Sequence, residues 1–526
     1  MHYSLLLAAL VLAAVLLFIV VHEVLLPSHD PREPPLVQPK IPLIGHSIEL
    51  LRIGTQYYSK LAQECKQPIF ALHMPRAKMY VVTSPTLVAI CDRRSRAVSF
   101  VPYVLEFAKR ILLTSPHGME MLSEDIHEES RSGLRPETLK VIHKSLMPGE
   151  SLEAMAKDTV EQVSAFLEFS PVGLGDQKGV PLFLWVREFF SIASTNVMYG
   201  PENPLLDPEL MDGFWTIDKD FALLGLDIKS HLVAPKASRG RQDFFAAFRR
   251  YYATGGFRKA SQLVQNRYEA NRQRGVSADD IAQFDLGVCI GLLVNSVPAI
   301  CWTLCHVYSD PNLLGTLRQG IENVIYPNGS SPENATADDK TSTTTVVNIP
   351  QLIQHFPLLE SLVKEALRVQ SNNASARFLL EDTSVQADDG STYLLKKDAF
   401  LVVPSAPIHN SEDVWGPTAR EFDPMRFLRP QGHKGSGATY RTFGGGNALC
   451  PGRYLAVYEI ISTLVIMLLK YDVLPVEGRW NIPRTRHHIS TSILTPVRDI
   501  WAKMLPREAA QQTKWKFAWE PEKVRK

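Results

Sequence analysis

The chain has almost no excess of charge of either sign, with 56 Lys and Arg against 55 Asp and Glu. A polyanion-binding protein carries a basic surplus, so composition gives no electrostatic case for nucleic acid as a partner. Cysteine is scarce too. Cys65, Cys91, Cys289, Cys301, Cys305 and Cys450 are irregularly spaced over 526 residues, which argues against a disulfide framework. Cys301 and Cys305 lie one helical turn apart beside His306, but no second half with finger-type spacing accompanies them. They read as small buried packing residues. No low-complexity or charged tract divides the chain, so one large domain is the simplest arrangement.

What is present begins with an apolar run. Leu5 to Val21 is unbroken, and with Tyr3, Ser4 and Val24-Leu25-Leu26 it reaches about 20 residues, enough to span a bilayer as a helix. It lacks the basic leader and the small-x-small site of a cleaved signal. Residues 1–26 are therefore expected to be a retained anchor. Arg32, Lys40 and Arg52 follow the run and no Lys or Arg precedes it, which places the remainder on the cytosolic side. The sequons at Asn328, Asn334 and Asn373 would then stay unused. Residues 27–46 hold Pro27, Pro31, Pro34, Pro35, Pro39 and Pro42, a stiff extended connector. The main domain is expected over 47–526.

Within that domain, Ile69–His73 and Met79–Thr83 are strand-like, and residues 137–320 are largely helical. Asp279 to Tyr308 is apolar nearly all round, so it should run through the core. Pro298 inside it frees the carbonyl of Val294 and predicts a kink near 294–298. Tyr326 to Val347 is polar and breaker-rich, and is expected as a long surface loop. Pro357–Val369 and Arg453–Lys470 are helical, and Leu394–Pro404 contains strand-like runs. The fold class is mainly α with small β-sheets.

Phe443-Gly444-Gly445-Gly446-Asn447-Ala448-Leu449-Cys450-Pro451-Gly452-Arg453 is a glycine-rich loop that brings one cysteine to the start of a helix. Glycine permits positive φ and close approach to a flat ligand, and a helix N-terminus favours a thiolate. A dinucleotide loop is the competing reading, but Leu449 stands where its third small residue belongs, and no clear strand leads in. Upstream, Glu365 and Arg368 fall on one helix face at i, i+3. Between them and the cysteine lies Phe422-Asp423-Pro424-Met425-Arg426-Phe427, whose Arg426 can complete a Glu–Arg–Arg network.

These three motifs, in this order, resemble the cytochrome P-450 family. Ala406-Pro407-Ile408-His409 and Trp415-Gly416 also fit, and the resemblance spans nearly the whole chain. It implies the fold of that family, as a single catalytic domain behind the N-terminal transmembrane helix. Cys450 would be the axial ligand to the iron of haem b, a thiolate whose electron donation favours O–O cleavage. Gly446 and Gly452 would belong to the cofactor loop. Phe443 would shield the thiolate, and Arg377 would meet a haem propionate. Glu365, Arg368 and Arg426 would form the structural triad. The resemblance also implies a lipophilic small-molecule substrate, NADPH-cytochrome reductase (a flavoprotein) as electron source, and the endoplasmic reticulum membrane. The chain's general look is similar to that of filamentous-fungal members that tailor terpenoids, polyketides or alkaloids. Two departures stand out: Ala448 replaces a usual propionate partner, and no Trp-x-x-x-Arg motif precedes residue 150.

The largest departure lies in the long helix. The family's acid–threonine pair is replaced by Val294 and Asn295, with Ser296 following. This Asn-x-x-Pro-Ala arrangement resembles the branch holding sterol hydroxylases and prostacyclin synthase. Two mechanisms follow for Asn295 and Ser296 as catalytic candidates. In a monooxygenase, Ser296, water or a substrate hydroxyl relays protons. In a peroxide isomerase or dehydratase, which needs no electron donor, Asn295 positions the substrate. The plain alternative is that Asn295 satisfies the carbonyl freed by Pro298. A non-catalytic haem-binding protein is the reading from another class; the intact Gly446, Cys450, Glu365 and Arg368 speak against it.

Overall fold

The computed structural model describes residues 27–126, 132–169, 178–226, 229–327, 344–429, 437–486, 491–508 and 513–520. The expected anchor over residues 1–26 lies outside them, as do the sequons at Asn328 and Asn334.

The apolar stretch around Pro298 forms two helices, Ala278–Leu293 and Ser296–Tyr308, separated at Val294-Asn295. This is where a proline without an N–H must interrupt the ladder. The second helix is buried along nearly its whole length, Cys301 and Cys305 included, and both cysteines are free. It packs against Leu182–Tyr199, Leu358–Gln370 and Arg453–Lys470. The last of these has apolar residues on almost every side, so only a core position leaves no apolar surface wet.

A five-stranded sheet stands beside the helices, in the order Ile69–Met74, Ala77–Val82, Phe400–Pro404, Ala374–Leu379, Val98–Ser99. Only the Ala77–Val82 and Phe400–Pro404 pairing is parallel. The proline-rich segment is docked on this sheet. Ala71 N–H donates to the Pro35 carbonyl at 2.8 Å and Val37 N–H to the Ala71 carbonyl at 3.0 Å. Glu33, buried, takes Lys78 Nζ at 2.7 Å and the Tyr80 hydroxyl at 2.5 Å. The connector therefore ends on a fixed edge of the sheet. A helix, Gly45–Ile53, begins two residues before the expected boundary.

The polar stretch Tyr326–Val347 is not loop to its end. Thr344–Asn348 is a strand paired in parallel with Lys514–Ala518 near the C-terminus. Asn348 and Glu520 close the pair reciprocally through side chain and backbone. The β-branched run Thr344-Thr345-Val346-Val347 was the available signal.

Candidate functional site

The helix Leu358–Gln370 ends at the site's structural centre. Glu365 and Arg368 are fully buried, and Arg426 nearly so. Arg368 grips Glu365 with two parallel bonds, Nε to Oε2 at 2.7 Å and Nη2 to Oε1 at 2.8 Å. Arg426 Nε reaches Oε1 at 2.9 Å, and the Asp423 N–H reaches it at 3.0 Å. The remaining guanidinium donors are met by carbonyls. Arg368 Nη1 bonds His409 O and Ala419 O, while Arg426 bonds Trp415 O and Thr418 O. A buried charge pair holds only when its spare hydrogen-bonding capacity is filled in this way. The three residues expected to form a triad do meet.

His409 carries this network to the cysteine loop. Its Nδ1 donates to the Arg368 carbonyl at 3.0 Å, and its Nε2 accepts the Arg441 N–H at 2.8 Å. Burial, with Arg368 beside it, pushes its pKa down to about 3, so the ring is neutral. Arg441 is fully buried and pairs with Asp92 at 2.6 Å. Neither Arg441 nor Asp92 is distinguished by sequence pattern, since they lie 349 positions apart.

The loop folds over that ion pair. Gly444 and Gly446 have φ of +77° and +57°, values that favour glycine. A Cβ on Gly445 would collide with the Arg441 guanidinium, and one on Gly446 would sit 2.9 Å from Asp92 Oδ1. Part of the need for glycine thus comes from the protein's own ion pair. The Cys450 N–H donates to the Phe443 carbonyl at 2.9 Å, which ties the phenylalanine and the cysteine together. Gly452 immediately precedes the helix Arg453–Lys470. Burial raises the Cys450 thiol pKa, while the backbone N–H groups of Gly452 and Arg453 and the Arg453 charge act against it.

Arg377 lies beside this loop, its Nη2 on the Gly445 carbonyl at 2.9 Å and its guanidinium 5.2 Å from the Phe100 ring centre. Burial lowers its pKa to about 10. Among the described residues Asp92 is the carboxylate that pairs with Arg441 and also acts on Arg377, and two of Arg441's buried nitrogens, Nε and Nη2, have no partner. One positive charge is left over at the root of the loop.

On the broken long helix, Gly291 is exposed between half-buried Ile290 and Leu292, and nothing lies within 4 Å of where its Cβ would be. Open space therefore borders this helix at Gly291. Asn295 follows one turn later and is half-buried. Val294, at the position of the missing acid, is buried, and so is Ser296. Among the described residues the Asn295 side chain makes no bond to the Val294 carbonyl that Pro298 frees, contrary to the plain reading. Its Oδ1 accepts the N–H groups of Ser492 at 2.7 Å and Ile493 at 3.2 Å. Asn373, the sequon among the described residues, donates its amide to the carbonyls of Arg441 and Thr442.

A mainly helical fold that presents one cysteine from a glycine loop, tied to a saturated glutamate–arginine network, is the arrangement a thiolate ligand requires. Residues 257–500 match the cytochrome P-450 family model. The chain is 29% identical to the cytochrome P-450 monooxygenase nodJ of Hypoxylon pulicicidum, covering 93% of this chain and 92% of that one. It is 25% identical to the 25-hydroxycholesterol 7-alpha-hydroxylase of Rattus norvegicus, over 80% of this chain and 96% of the relative. The fold matches that of a retinoic-acid-bound cyanobacterial CYP120A1 with a TM-score of 0.66 at 16% identity, covering 91% of this chain and all of the other. The family model, these relatives and the shared fold together support the cytochrome P-450 family, whose members are haem-thiolate iron proteins, and a monooxygenase activity.

The residues present fit haem. The surplus positive charge of Arg377 and Arg441 suits an acidic edge, and Arg441 supplies the donor that Ala448 cannot.

Proposed function

We propose that the protein inserts one oxygen atom from dioxygen into a lipophilic small molecule, as a tailoring step in fungal secondary metabolism. Cys450 would hold the haem iron, Phe443 would cover the sulfur, and Arg377 and Arg441 would meet the propionates. Glu365, Arg368 and Arg426 would fix the loop from behind. Thiolate-bound haem supplies reductive activation of dioxygen. The protein's own part is to deliver the cysteine rigidly and to shape a largely apolar space beside Gly291. Electrons would come from NADPH through a flavoprotein reductase. Residues 1–26 would anchor the domain at the endoplasmic reticulum membrane, with residues 47–526 on the cytosolic side. The fungal monooxygenase relatives support the tailoring role.

The single observation that carries this reading is the Cys450 loop, held through Arg441 and His409 to Glu365–Arg368. The test is a carbon monoxide difference spectrum of the dithionite-reduced protein. A red-shifted Soret band in the wild type that vanishes in Cys450→Ala is expected. Well-folded wild-type protein without a haem signal would sink the proposal. One observation favours the peroxide isomerase as a second reading: buried Val294 stands in place of an acid. Turnover with and without NADPH and reductase separates the two.

A further inference from the structure

The amide of Asn295 is oriented by its surroundings. Asn295 precedes the helix Ser296–Tyr308 but makes no side-chain cap to it. Its Oδ1 instead takes both backbone N–H groups of Ser492 and Ile493. A carbonyl oxygen has two lone pairs, so the acceptor is fully used. Flipping the amide would set an NH₂ group against two backbone donors. Only Nδ2 is then free to act on anything else. It has no partner among the described residues and, unlike the buried orphan atoms, keeps accessible surface.

The segment that Asn295 grips is held at every turn. The Ser492 carbonyl accepts from Asn372 N–H at 2.8 Å, and Leu494 N–H donates to Gln370 O at 3.1 Å. Trp302 Nε1 donates to the Leu494 carbonyl at 2.6 Å. Asn295 and Trp302 are seven residues apart, on one face of the helix, and they bracket 492–494 between them. Gly291, one turn before Asn295, borders the open space.

We infer that Asn295 is a positioning residue with two committed ends. Oδ1 pins the wall segment 492–494 to the broken helix, and Nδ2 presents a fixed donor, never a proton acceptor, to an oxygen atom in the space beside Gly291. An amide so held cannot relay protons, which leaves that task to Ser296, water or a substrate hydroxyl. The first half of this assignment is independent of haem; the second rests on the haem-thiolate reading.

Two variants of the full-length protein separate the halves. Asn295→Asp keeps an acceptor for both N–H groups and removes the donor, whereas Asn295→Leu removes both. Hydrogen exchange tests the pin. Amides of Ser492 and Ile493 should exchange at least about tenfold faster in Asn295→Leu, roughly the loss of one net hydrogen bond, and near the wild-type rate in Asn295→Asp, with the helix Arg453–Lys470 unchanged in both. Unchanged protection in Asn295→Leu overturns the pin. The donor is tested on bound carbon monoxide by infrared spectroscopy. Asn295→Asp should move the C–O stretch to higher frequency, as a lost donor does. An identical frequency in wild type and Asn295→Asp overturns the donor role. Absence of any carbon monoxide complex in the wild type would instead strike the haem-thiolate reading and leave the exchange result standing.

Discussion

The two sides of the site are built on opposite principles. Behind the cysteine, the Glu365 seam meets each charge with a partner and leaves its members almost wholly buried. Across from it, the long helix is broken, Gly291 borders open space, and one amide, Asn295, bridges the gap to the neighbouring segment. A saturated buried network tolerates no change of partner. A helix break held by one side chain tolerates change, and alters the shape of whatever it borders. The first side secures the cysteine loop, and the second is where chains with the same loop can differ in chemistry.

The sharpest way to break that comparison is Glu365→Gln. The shape is retained and the charge removed, so the guanidiniums of Arg368 and Arg426 are left buried without a counter-charge. Breaking a buried pair in this way costs about 3–5 kcal/mol, against a total stability of about 5–15 kcal/mol for a typical domain. The expected outcome is loss of nearly all haem-loaded protein, read as the carbon monoxide signal per unit of protein and as the denaturant midpoint. A variant with wild-type values on both would mean that the seam is not what holds the loop.

Pro298→Ala probes the other side. It restores an N–H four residues beyond the Val294 carbonyl and lets the two helical segments join. Proline in a helix interior is about 3 kcal/mol worse than alanine, so stability should stay level or rise by no more than that. The straightened helix would turn Asn295 away from Ser492 and Ile493, whose amides should lose protection. Stability preserved while the wall loosens is the signature of a break kept for shape. If the thermal midpoint drops and exchange at 492–493 does not change, the break is merely structural.

The sequence carried the two sides unequally. Glu365, Arg368, Arg426 and Cys450 are legible because residue type and order are themselves the motif. The kink is legible because proline lacks a donor. What links the seam to the loop is not: His409 acts through one carbonyl and one N–H, and Arg441 through Asp92, 349 residues earlier. Asn295 could be singled out, but its partners are two backbone N–H groups 197 and 198 residues away. Backbone donors carry no residue identity, so no sequence pattern points to them. The same holds for Thr344–Asn348, a strand by composition whose partner, Lys514–Ala518, only the fold supplies.

A second buried carboxylate sharpens the comparison, with the smallest expected effect on the site. Glu459, on the helix that follows Cys450, is as buried as Glu365, but the hydrogen bond it receives is from the Ser194 hydroxyl at 2.7 Å, and among the described residues no guanidinium pairs with it. Burial accordingly pushes its pKa from the usual 4.5 up to about 8. Below pH 4.5 folded and unfolded chains both hold the proton, and no penalty arises. Between 4.5 and about 8 the unfolded chain releases it while the folded one keeps it, so stability falls as pH rises, by at most about 1.4 kcal/mol per unit. Above about 8 the loss levels off. Glu459→Gln carries no such proton, so its thermal midpoint should exceed the wild type's by more at pH 8 than at pH 5. Its carbon monoxide spectrum should match the wild type's at both. An offset independent of pH would mean that Glu459 is ionised in the folded protein, and that a buried carboxylate on this helix needs no arginine.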